Sequence, residues 1–123
     1  MMEKITFWQD LAIKLKPTYK NKNLNKRTQI RKFYDEVVRL DMDSRRLNLE
    51  KDKDKEKWDN TLPLVHMLTA KAAYALGRNL VSESFSEFIR NSVAQIEEPN
   101  DLKVFAAFFE AFMGFYTLHG PKN

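Results

Sequence analysis

The chain has 123 residues with 21 Lys/Arg against 17 Asp/Glu, a net charge of +4, and no cysteine. That length suits one domain with one core, and an apolar share of 43% is that of a folding chain rather than a disordered one. Missing cysteine excludes a disulfide framework and thiolate metal sites, three glycines and four prolines argue against a turn-rich β fold, and no stretch approaches the roughly 18 apolar residues of a membrane span.

Five helices are expected in chain order, making a small all-α bundle across a single domain, residues 1–123. The opening residues carry Glu3 and a broken apolar run, so no secretory signal is expected and the location reads as cytoplasmic. Ile5, Trp8, Leu11, Ala12 and Leu15 form one stripe of a first helix over Glu3–Leu15, which Pro17 stops. A Lys/Asn-rich connector leads to a second helix reaching about Leu47, with Ile30, Phe33, Val37 and Leu40 at helical spacing. The alternating charges of Glu50–Lys57 bury nothing apolar, so a charged flexible connector is expected around 48–59. A third helix is predicted from Asn60 or Thr61 to Gly77, with Pro63 in its first turn. Ser84 to Glu87 has the pattern of a capping box for a fourth helix that buries Phe85, Phe88, Ile89, Val93 and Ile96. The fifth helix, Asp101 to about Leu118, carries Phe105, Phe108, Phe109, Phe112, Phe115 and Tyr116. Those rings make it either the centre of the bundle or a face shared with a partner subunit. Its one acid, Glu110, is expected to pair with a cation on a neighbouring helix.

Enzyme signals are absent. His66 and His119 stand apart, there is no P-loop or paired-carboxylate pattern, and no cofactor is called for. Two cationic groups remain. Residues 20–46 hold nine Lys/Arg against four Asp/Glu. Within them Lys32 is spaced to pair with Glu36 and Asp35 with Arg39, leaving Lys26, Arg27 and Arg31 as the freer charges. From Asn60 to Ser82 there is no acid at all, and Lys71, Tyr74 and Arg78 share one helical stripe. Two cations flanking a ring suit phosphates and a stacked base. The structural alternative gives Arg78 a salt bridge to Glu110 and puts Tyr74 in the core.

Three blocks in order, Gln29 to Val37 (QIRKFYDEV), Lys71 to Arg78 (KAAYALGR) and Phe105 to Tyr116 (FAAFFEAFMGFY), resemble the small subunit of the type III-A CRISPR effector, the Csm complex. The resemblance covers about residues 24–118. It implies a non-catalytic helical subunit of an antiviral ribonucleoprotein. Copies of it would line a filament of backbone subunits and touch guide RNA and single-stranded target RNA through basic residues. Carried onto this chain, it points to Arg31, Lys71 and Arg78 as RNA-binding cations, with Lys26, Arg27 and Tyr74 added on charge and position. Phe105, Phe109, Glu110, Phe112 and Tyr116 are then structural or partner-facing. A reading of a different class is a helical interaction module, self-associating (a homodimer in isolation) or docking on a scaffold without touching nucleic acid. Helix-turn-helix DNA binding is disfavoured, since Ser84–Ile96 offers a single cation, Arg90.

Overall fold

The computed structural model describes residues 24–119, and within them every regular element is a helix. These are α1 (Arg27–Ser44), α2 (Asp52–Gly77), α3 (Glu83–Val93) and α4 (Pro99–His119). The helix expected over Glu3–Leu15 lies outside the described residues. The architecture is therefore all-α, with four helices here. The pairs α2–α3 and α1–α4 pack most extensively, and α1 also meets α2.

One core joins all four helices. The α1 stripe Ile30, Phe33, Val37 and Leu40 is buried as its spacing demands. So are all five apolar residues expected of the fourth helix, Phe85, Phe88, Ile89, Val93 and Ile96. Phe88 is the hub. Its ring lies 6.0, 5.6 and 5.8 Å from those of Phe105, Phe109 and Phe112, mostly tilted or edge-on. Phe33 meets Phe85 edge-on at 5.1 Å, tying α1 to α3. Phe105, Phe109, Phe112 and Tyr116 are at most 5% exposed, so these four rings belong to the core and are not available to a partner.

Helix α2 begins earlier than its sequence suggests. Asp52 to Lys57 form its first turns rather than a connector, and Pro63 lies well inside it. Two forces favour this. Acids at Asp52 and Asp54 suit the positive end of the helix dipole, and the Asp54 carboxylate accepts from the Asn48 amide at 3.0 Å. Trp58 then fixes the segment: it is 3% exposed and its indole N–H donates to the Glu97 carbonyl at 2.9 Å. Proline at 63 leaves the Asp59 carbonyl without its usual helical donor, and packing of the long helix tolerates that.

The helix ends also shift. The cap of α3 is Ser82, whose Oγ accepts from the Phe85 amide at 3.2 Å, two residues before the capping box the sequence suggested. At the end of α2 the reversal falls on Asn79, at φ 59°, while Gly77 remains helical. The Asn79 amide reaches the Leu76 carbonyl and the Leu80 amide the Ala75 carbonyl, the paired bonds of a Schellman ending. At α4, Asp101 Oδ2 accepts from the Glu97 and Glu98 amides.

Asn25 pins the start of α1 to two other parts of the chain. It is 3% exposed and sits at φ 57°. Its backbone N–H donates to the Leu80 carbonyl, its side-chain amide donates to Ser82 Oγ, and its side-chain oxygen accepts from the Ser82 amide. The buried Tyr116 hydroxyl donates to the Asn25 carbonyl, which closes α4 onto the same point.

Candidate nucleic-acid interface

Where α1 crosses α2, a groove of about 550 Å³ opens to solvent. Its floor is Phe33, Leu68, Ala75 and Leu80, and its rim is Gln29, Lys32, Glu36, Lys71, Tyr74 and Arg78. The rim follows from helical periodicity. Gln29, Lys32 and Glu36 stand at i, i+3 and i+7 along α1, and Lys71, Tyr74 and Arg78 at i, i+3 and i+7 from α2 into its cap. Two such stripes face each other across the crossing, so one acid meets three cations there.

Tyr74 is 67% exposed, which removes it from the core. The Arg78 guanidinium lies 5.6 Å from its ring centre, a cation over the π face. Arg78 forms no ion pair with Glu110 among the described residues. Glu110 is itself exposed and makes no ion pair there, contrary to the expected interhelical partner. Its charge is felt by Tyr34, whose hydroxyl titrates higher than usual, chiefly through burial and then through Glu110.

Lys71 is less free than an acid-free helix suggested. Its Nζ is 3.6 Å from Glu36 Oε1, an acid supplied by the other helix. Neither Lys32–Glu36 nor Asp35–Arg39 forms as expected. Instead Arg39 grips Glu36 with both arms, Nη2 to Oε1 at 2.7 Å and Nε to Oε2 at 3.2 Å, and approaches Asp43 at 3.6 Å. Glu36 therefore titrates below the usual carboxylate range, held ionised first by the Arg39 hydrogen bond and then by Lys71. Arg45 is paired with the buried Asp41 at 2.8 Å.

The remaining basic residues of α1 lie elsewhere. Arg31 is exposed, but five residues before Glu36 it stands about 140° around the helix from the groove. Lys26 is the half-buried residue preceding α1, its carbonyl taking the Gln29 and Ile30 amides. Arg27 is a tether: its Nη2 donates to the Thr117 carbonyl at 3.1 Å, and its Nε is enclosed. A guanidinium near the end of α4 meets the negative end of that helix dipole. Three of the six basic or aromatic candidates thus converge. The groove adds Gln29, Lys32 and Glu36, whose i, i+3, i+7 spacing was visible in the sequence but was masked by reading Lys32 and Glu36 as a pair. Among the described residues no cluster of His, Asp or Glu could hold a metal ion, and no helix is long and apolar enough to cross a membrane.

The family model described as Csm2 Type III-A matches residues 4–122. No curated protein and no solved structure matches the chain. With nearly the whole chain matched and the three sequence blocks folded into one helical core, the chain belongs to the Csm2 family, the small subunit of the type III-A CRISPR effector complex.

Proposed function

We propose that this chain is a non-catalytic RNA-binding subunit of its effector complex in antiviral defence, gripping guide or single-stranded target RNA along its backbone. The observation that carries this reading is the α1–α2 groove, which Lys32, Lys71 and Arg78 line together with the exposed ring of Tyr74. Cations there suit phosphates, and the exposed tyrosine, with Arg78 over one face, offers its other face for a base to stack on. Cations and a stacking ring hold backbone and bases of any sequence, so sequence is left to pairing between guide and target. Few free cations per copy mean modest affinity for the isolated chain, and repeated copies on one strand gain by multivalency.

The test is salt-titrated binding of single-stranded RNA to the full chain and to K71A/R78A. Each phosphate contact on a single strand contributes about 0.7 to the log–log salt slope, so the double variant should lose roughly 1.4. Its melting temperature should barely move, because an exposed pair such as Lys71–Glu36 contributes about 0–1 kcal/mol. Unchanged RNA affinity in the variant refutes the reading.

A second reading, docking on backbone subunits or on further copies, is favoured by the outer face of α4. Val104 is 39% exposed, and Ala107, Ala111 and Gly114 are exposed beside it. A methyl group at Gly114 would meet nothing beyond its own helix backbone within 4 Å. The two surfaces are on different helices, so one subunit can serve both roles. Sedimentation of V104E against the parent tests the protein contact without touching the groove.

A further inference from the structure

Glu36 is the one acid among the groove's lining residues, and a carboxylate inside a phosphate-binding groove needs a reason. Charge alone makes it a liability, since it repels any polyanion that Lys32, Lys71 and Arg78 attract. Nor is it a carboxylate that protonates to escape: Arg39 and Lys71 keep it ionised. Arg39 is not among the groove's lining residues, so its fork orients Glu36 without occupying the space in front of it.

The acceptor count leaves room for a ligand. A carboxylate offers about four lone-pair directions. The Arg39 fork occupies two of them. Lys71 at 3.6 Å is a Coulombic neighbour too distant for a hydrogen bond. Glu36 thus presents spare acceptor capacity to a donor arriving in the groove. Along a nucleic-acid backbone the phosphates and ring oxygens only accept. The one donor on an internal sugar is the ribose 2′-hydroxyl, which DNA lacks. An acidic side chain bound to a ribose hydroxyl is the device that dinucleotide-binding folds use for the same group.

Resting on the nucleic-acid reading of the groove, we propose that Glu36 discriminates RNA from DNA, accepting a hydrogen bond from a ribose 2′-hydroxyl while Lys71 and Arg78 hold adjoining phosphates. Both nucleic acids meet the same repulsion from the carboxylate, and RNA alone recovers it through a charge-assisted bond. Glu36 acts as a filter rather than an anchor. Removing it therefore helps the wrong ligand more than the right one.

The experiment uses the full chain and two probes of one sequence, an oligoribonucleotide and the matching oligodeoxyribonucleotide, at several salt concentrations. One hydrogen bond to a charged group corresponds to about a tenfold preference for RNA in the parent protein. In E36A, DNA affinity should rise and the preference should fall to about twofold or less. An RNA-to-DNA ratio that E36A leaves unchanged overturns the proposal, even if both affinities rise together, because Glu36 is then only an electrostatic brake. A third probe needs no variant: 2′-O-methyl RNA keeps the oxygen but loses the donor, and should bind the parent as weakly as DNA. Binding equal to that of RNA overturns the proposal while leaving the groove reading intact. If the parent binds none of the probes, the groove reading itself fails and this one falls with it.

Discussion

Replacing Asn25 with Ala should be among the most damaging single changes near the surface of this protein. The side chain donates to Ser82 Oγ at 3.0 Å and accepts from the Ser82 amide at 2.8 Å, in a site where Asn25 is 3% exposed. Losing the pair leaves the Ser82 N–H short of a partner beside the core, about 2 kcal/mol for the two bonds together. The backbone adds to this. At φ 57° an alanine occupies the left-handed region, where asparagine is tolerated and alanine costs about 1 kcal/mol more. The total of about 3 kcal/mol is a large part of a small domain's stability, and should lower the melting temperature by about 10–15 °C. Thermal and urea unfolding followed by circular dichroism read both numbers. N25G separates the two causes, since glycine adopts this φ freely and should recover about 1 kcal/mol of the loss. If N25A melts within a few degrees of the parent, or N25G proves less stable than N25A, this account of the contact is wrong.

Other consequences follow from single contacts. Tyr116→Phe keeps the buried ring but leaves the Asn25 carbonyl without its hydroxyl donor, costing about 1–3 kcal/mol by urea denaturation. Because burial raises the Tyr116 phenol above its ordinary value of 10.0, its share of stability should decline as pH climbs past 10.0; Y116F should lack that decline. Trp58→Phe, which removes the indole donor to Glu97, should cost about 1 kcal/mol, and Trp58→Ala about 3–5 kcal/mol through the cavity. Glu36 has its folded-state value lowered, so its contribution is complete above the ordinary value of 4.5 and is lost as pH falls through the lower folded value. Stability of the parent and E36Q should therefore converge in acid, and a gap that persists unchanged there would refute the Arg39 and Lys71 contacts as its cause.

Much of the fold was legible because a helix declares its buried face locally. The spacing of Ile30, Phe33, Val37 and Leu40, or of Phe85, Phe88 and Ile89, specifies a stripe whichever partner covers it. Boundaries were harder. Asp52–Lys57 carries no apolar stripe, and its helical state rests on Trp58 reaching the Glu97 carbonyl, 39 residues away. Local spacing cannot register that contact. The α3 cap moved for a related reason: Ser82 is held by Asn25, so the chain turns there rather than at Ser84. Ion pairs were the least legible part. Spacing at i, i+4 offered Lys32 to Glu36, but the bidentate fit of Arg39 and the approach of Lys71 from another helix took that carboxylate instead. Spacing also left Tyr74 open between groove and core, since an aromatic at helical spacing fits a core stripe and a solvent stripe equally well; the fold exposes it.

The sequence by itself determined the helical class, the apolar faces of α1 and α3 and the family, because each is written in short-range spacing and in the order of three blocks. Tertiary structure alone decided which charges are spent and which remain. Arg27 goes to the end of α4, Arg45 to Asp41 and Arg39 to Glu36. Lys32 and Arg78 stay at the groove, and Lys71 stands there beside the Glu36 carboxylate. The physical reason is range. Side-chain pairing depends on distances of a few ångströms between helices, and those distances exist only once the helices have crossed.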